Sequence, residues 1–106
     1  MQIKWDIKAQ NSFLQISLYI QEKFGTKARR NFVKKVRDVE AMLKDNPSIG
    51  KLETLFSDRT TTYRSLVVDK LSKIIYYATE QEIRIALMWD TRQEPEAQAS
   101  KLKDKD

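Results

Sequence analysis

Two runs of helical periodicity, joined by a single Gly25-Thr26 step, constrain this chain more than any other feature of its sequence. In the first run Ala9, Phe13, Ile16, Ile20 and Phe24 follow at steps of 4, 3, 4 and 4, which is one face of a helix. Asp6 stands where a helix cap is needed, and Gly25 suits the left-handed position that closes such a helix. The second run, with Thr26 as its expected cap, places Ala28, Phe32, Val36, Val39 and Leu43 on one stripe. Asn46-Pro47 ends it, because proline pushes the residue before it out of helical geometry. So short a link forces the two helices back on each other as an antiparallel hairpin. Each helix has one apolar stripe, so the pair needs a third surface to cover it.

The remaining sequence supplies that surface. Gln2–Asp6 alternates Ile3 and Trp5 with polar residues and reads as a short opening strand. Residues 48–61 read as a loop that lays Leu52, Leu55 and Phe56 onto the core. Three β-rich runs follow, Tyr63–Val68, Lys73–Thr79 and Ile83–Trp89, and their short connections predict an antiparallel meander. In the last run strict alternation puts Ile83, Ile85, Leu87 and Trp89 on one face and Arg84, Ala86 and Met88 on the other. The expected fold is α+β in the order β-α-α-β-β-β, with the helical hairpin on one face of an antiparallel sheet. One domain should span residues 1–95. The charged tail, 96–106, is expected to be disordered, or to order only against a partner.

Composition narrows the chemistry. The chain lacks cysteine, so a disulfide framework or thiolate metal site is excluded, and it lacks histidine, which removes a conventional zinc site and a Ser-His-Asp triad. No cofactor or metal is expected. The longest apolar runs fall far short of the roughly 18 residues of a membrane span, and the first residues lack the apolar core of a secretory signal. A cytoplasmic protein with no membrane partner is the expectation. A net charge of +5 fits an anionic partner, nucleic acid or acidic protein, or else simply a soluble basic surface.

The cations fall into two groups. Lys27, Arg30, Lys34 and Arg37 form a stripe on the second helix, away from its apolar face. Such a stripe fits a row of phosphates, and equally a solvated outer face. In the sheet, Arg64, Lys73, Arg84 and Arg92 are interleaved with Tyr63, Tyr76, Tyr77 and Trp89. Guanidinium groups that hold phosphate beside rings that stack on bases are what RNA recognition uses. Aromatic residues are also favoured strand formers, so whichever of Tyr76 and Tyr77 points inward reads as core, and Arg84 as a solvent-side strand residue. Asp90-Thr91-Arg92-Gln93 reads either as a turn or as a device that projects Arg92 into a groove at the sheet edge. Without histidine, acid–base chemistry would fall to Lys73, a tyrosine or a carboxylate, with arginines stabilising negative charge.

The segments YIQEKFGTKARRNFVKKVRDVEAMLKDNPSIGK (Tyr19 to Lys51) and YRSLVVDKLSKIIYYATEQEIRIALMWDTRQEP (Tyr63 to Pro95) resemble the hairpin and the sheet of ParE-type toxins in the RelE/ParE superfamily. That resemblance implies the growth-arresting, plasmid-stabilising half of a type II toxin–antitoxin pair, silenced by a cognate antitoxin that wraps over it. It also implies one of two targets. RelE-type members cut messenger RNA in the ribosomal decoding site, without metal, whereas ParE-type members inhibit DNA gyrase. Arg64, Lys73 and Arg92 match basic positions of the nuclease branch. Leu66 stands where that branch has a further lysine, and no aromatic residue after Trp89 supplies its terminal tyrosine. The resemblance therefore points to the ParE side. The alternatives are a RelE-like endoribonuclease or a non-toxic member that only binds antitoxin. For a binding surface the sequence offers Lys27, Arg30, Lys34, Arg37, Tyr63, Arg84 and Trp89.

Overall fold

A computed structural model of the chain describes residues 1–54 and 60–92. The order is β1 (Gln2–Trp5), α1 (Ile7–Phe24), α2 (Thr26–Asp45), β2 (Lys51–Leu52), β3 (Arg64–Asp69), β4 (Ser72–Ala78) and β5 (Glu82–Asp90). The α+β class and the hairpin-on-sheet architecture are as the sequence predicts. The sheet itself is mixed. Its strand order is β1-β5-β4-β3-β2, with β1 parallel to β5 and every other pair antiparallel. The helical hairpin carries the chain from β1 at one edge of the sheet to β2 at the other, and the meander then returns it to β5 beside β1. Lys51–Leu52, expected in a loop, pairs with Ser65 and Arg64 as a two-residue edge strand, and Leu52 is exposed there instead of packing on the core. Leu55, Phe56 and the tail lie outside the described residues.

One glycine makes the hairpin. Gly25 closes α1 through its N–H to the Gln21 carbonyl and opens α2 through its own carbonyl to the Arg29 N–H. Its φ of 93° and ψ of 175° fall in a region essentially reserved for glycine. α2 thus begins at Thr26 itself, with Gly25 as its cap, and no side-chain cap bond is made. Asn46 ends α2, its side chain accepting the Ser48 N–H in the turn before the sheet.

Ile16, Ile20, Phe32, Val36, Val39 and Leu43 form the helical side of the main core, facing Ile74, Tyr76, Ile83, Ile85 and Met88 of the sheet. Phe13, at its margin, stacks on Phe32 at 5.8 Å and meets Trp5 edge-on at 5.6 Å. Phe24, the last member of the predicted α1 stripe, is exposed, because the helix ends one turn past the sheet-facing Ile20.

β5 departs from strict alternation. Its pairing with β4 runs Ile75 to Leu87 and then Tyr76 to Ile85, leaving Ala86 as the extra residue of a β-bulge. A bulge shifts the phase of a strand, since the side-chain period is two. Ile83, Ile85 and Met88 therefore face the helices, while Ala86, Leu87 and Trp89 join Tyr63, Ile75 and Tyr77 in a second cluster on the opposite face. This corrects the sequence reading, which put Leu87 and Trp89 with Ile83 and Ile85.

Two substitutions test this frame. Phe32→Ala removes a side chain only 2% exposed, and should cost about 3–5 kcal/mol in denaturant unfolding. At Gly25 an added Cβ meets nothing within 4 Å, so Gly25→Ala carries backbone strain alone. It should cost about 1–3 kcal/mol while leaving the helical circular dichroism unchanged.

Candidate functional site

The cations singled out in the sequence are distributed over five places. Arg64 lies on the helix-facing side of β3 and donates to the carbonyl oxygens of Gly50 (2.9 Å) and Ser48 (3.4 Å). Its neighbour across the strands, Tyr76, is fully buried. The Tyr76 hydroxyl donates to the Pro47 carbonyl and accepts the Gly50 N–H at 2.9 Å. A side chain at position 50 would collide with that hydroxyl, which explains the glycine. Arg64 and Tyr76 together clamp the turn between α2 and β2. Burial raises the Tyr76 phenol above its ordinary pKa of 10.0, and the Gly50 N–H and Arg64 offset this in part.

Lys73 lies on the opposite face of the sheet. Its ammonium group bonds Glu53 at 2.9 Å and sits 4.1 Å from the centre of the Trp89 ring. Ser65 donates to the same Glu53 oxygen. The result is a part-buried carboxylate held between a lysine, a hydroxyl and an indole. Glu53 was missed in the sequence because nothing in the spacing of an isolated loop glutamate points across two strands. Trp89 and Tyr63 are only 7% and 3% exposed. Tyr63 packs edge-on against Tyr77 at 5.6 Å, so these rings are packed into the second cluster.

Arg92 occupies a third place. Its guanidinium stacks over Tyr19 of α1, 4.0 Å from the ring centre, and makes a two-pronged pair with Asp90. The hydrogen bonds to Asp90 are the main reason its pKa rises further above an already high value, against a smaller opposing effect of desolvation. Asp90 also accepts the Arg92 backbone N–H, so the turn and the positioning of Arg92 are one arrangement. Arg92, Asp90, Tyr19, Gln15 and Ser12 line a cleft of about 140 Å³ between α1 and the end of β5. Ser12 also accepts the Met88 N–H at 3.0 Å, satisfying an edge of β5 that β1 is too short to reach.

Arg84 is a structural tie. Its guanidinium bonds Asp6 (2.9 Å from Nε) and Glu82, joining β5 to the β1–α1 corner. Asp6 occupies the cap position of α1, yet it makes no cap bond, because its carboxylate is turned to Arg84. That hydrogen bond is the first cause of the raised Arg84 pKa.

The fifth place is the outer side of α2, where Lys27, Arg30, Lys34 and Arg37 are all exposed. Arg37 reaches the rim of an apolar groove of about 410 Å³ lined by Trp5, Phe13, Val33 and Val36. Glu40 closes one side of that groove, accepting the Trp5 indole N–H at 3.1 Å. Among the described residues, no group of three or more metal-ligating side chains comes together.

Residues 3–95 match the family model described as the ParE toxin of the type II toxin–antitoxin system, parDE. The chain belongs to the ParE toxin family. It is thus a toxin of the type II toxin–antitoxin class. No curated protein sequence matches it. Among solved structures, the chromosomal ParDE system from P. aeruginosa superposes with a TM-score of 0.68 at 18% identity, over 85% of this chain and 95% of that one. The YoeB dimer from Staphylococcus aureus gives 0.55 at 23% identity, over 82% and 92%. The heterotetrameric YoeB–YefM complex from the same organism gives 0.52, also at 23% identity, over 82% and 92%. At these identities the likeness is one of fold. Among the described residues of this ParE-family chain, no helix is long and apolar enough to cross a membrane.

The Tyr76 clamp yields a prediction with a pH signature. Tyr76→Phe leaves the Gly50 N–H without its acceptor and should cost about 1–3 kcal/mol near neutral pH. An unfolded phenol ionises near pH 10 while the buried one keeps its proton, so the stability this side chain adds is complete below that pH. It is lost as the pH climbs through the raised folded value. The stability gap between wild type and Tyr76→Phe, measured by urea unfolding, should therefore narrow above pH 10.

Proposed function

We propose that this toxin acts by binding a protein target, DNA gyrase, without breaking bonds itself, and that a cognate antitoxin silences it in the cytoplasm. The observation that carries this reading is the internal partnering of the three candidate catalytic cations. Arg64 is engaged with loop carbonyls, Lys73 with Glu53, and Arg92 with Asp90 and Tyr19. A nuclease needs its cations gathered and open around one phosphate. Here Arg64 and Lys73 lie on opposite faces of the sheet. Membership of the ParE family supports the same side.

The α2 stripe and the Trp5 groove support an acidic, partly apolar antitoxin segment as the partner, folding on the surface it covers. Lys27→Glu, Arg30→Glu and Lys34→Glu together should weaken antitoxin binding at least tenfold, about 1.4 kcal/mol, and flatten its salt dependence in calorimetry.

A second reading rests on Glu53, whose carboxylate beside Lys73 is the kind of group a metal-free endoribonuclease uses as a base. Two assays on purified toxin separate the readings. Gyrase supercoiling should be inhibited and then restored by antitoxin. Primer extension in a reconstituted translation reaction should show no new 5′ ends. New ends in the decoding site that disappear in Glu53→Gln would install the nuclease reading instead. Inactivity in both assays with antitoxin binding intact would leave a member that only binds antitoxin.

A further inference from the structure

The outer face of α1 takes no part in any contact described above. Ile7, Leu14 and Leu18 are 74%, 50% and 52% exposed. Their spacing of seven and then four residues sets them on one line along the helix, with exposed Asn11 between the first two. No Asp, Glu, Lys or Arg occurs between Lys8 and Glu22, in a chain that is 33% charged. A solvent-facing helix surface is where charges ordinarily concentrate, as they do on α2. A charge-free face carrying exposed leucines marks a contact surface.

We propose that this face pairs with the same face of a second copy of the chain, the two α1 helices packing antiparallel across a two-fold axis. Self-association of a chain with net charge +5 is opposed wherever its cations meet. This face holds none, so it is the place where two copies approach without like-charge repulsion. It is also self-complementary, as a two-fold contact requires. An axis crossing α1 midway between Ser12 and Phe13 sets Ile7 opposite Leu18 and Asn11 opposite Leu14. Each apolar end then covers the other. An acidic peptide, by contrast, finds no cation here to pair with. Two helices alone bury less than the ~1,200 Å² of a standard stable interface, so the dimer should be weak and concentration-dependent.

The absence of cysteine from the sequence gives a clean test. Ile7→Cys combined with Leu18→Cys in the full free chain should form a disulfide-linked dimer on mild oxidation. Val67→Cys, on the sheet and 65% exposed, should stay largely monomeric. In sedimentation velocity the wild-type mass should rise towards twice the monomer with concentration. Leu14→Glu with Leu18→Glu should weaken that association at least tenfold, with unchanged thermal stability because both positions are exposed. A wild-type chain that stays monomeric at the highest soluble concentration would overturn the proposal. So would a cysteine pair that cross-links no better than Val67→Cys. Loss of antitoxin binding in the Leu14→Glu, Leu18→Glu chain, with wild type monomeric, would assign the face to the antitoxin and equally overturn it.

Discussion

β5 is the strand on which the other elements depend, and burying it on both faces is the central constraint. It pairs with β4 along its whole length on one edge, and with β1 over only four residues on the other. A central strand left half unpaired would strand buried N–H groups at a cost of about 1–3 kcal/mol each. α1 completes the edge where β1 stops, Ser12 taking the Met88 N–H and Asp6 donating its own N–H to the Ile85 carbonyl. The first turns of α1 are therefore fixed to β5 by hydrogen bonds as well as by packing. The Arg84 tie to Asp6 secures the same corner from the opposite side of the strand.

The bulge at Ala86 gives β5 its two-sided character. By changing phase once, the strand sends Ile83, Ile85 and Met88 to the helices and Leu87 and Trp89 to the second cluster. The same phase change separates the polar groups. Asp90 and Arg92 come out beside Tyr19 on the helix side, whereas Lys73 and Glu53 gather over Trp89 on the other. The protein thus spends most of its sheet cations on holding itself together. Arg64 clamps a turn, Arg84 ties a corner, and Arg92 is stacked and paired. Among the described residues, the helices present two surfaces open to partners. α2 presents cations beside an apolar groove, and α1 presents a face with no charge at all, two surfaces suited to different kinds of contact.

The sequence alone determined the helical hairpin, the order of elements, the meander and the family. These follow from local signals. Periodicity of 3.6 marks the two helices, Gly25 and Asn46-Pro47 mark their ends, and short polar links between β-rich runs leave neighbouring strands little choice but to pair. Ile16, Phe32 and Val36 were legible as core because a helix with one apolar stripe has only one face to bury.

Only the tertiary structure decided the parallel pairing of β1 with β5, the bulge at Ala86 and the partners of each charge. β1 carries no mark of its neighbour in its four residues, since the strand it joins lies some eighty positions away. A bulge leaves no signature in an apolar run, where either phase buries something apolar. Asp6 reads as a helix cap until Arg84 arrives from the far end of the chain to claim its carboxylate. Glu53, Ser65 and Lys73 are unremarkable in sequence and become a site only when β3 and β4 bring them together. Local chemistry sets which elements form. The partners of buried charges and the phase of a strand are set by non-local contacts, and those exist only once the chain has closed on itself.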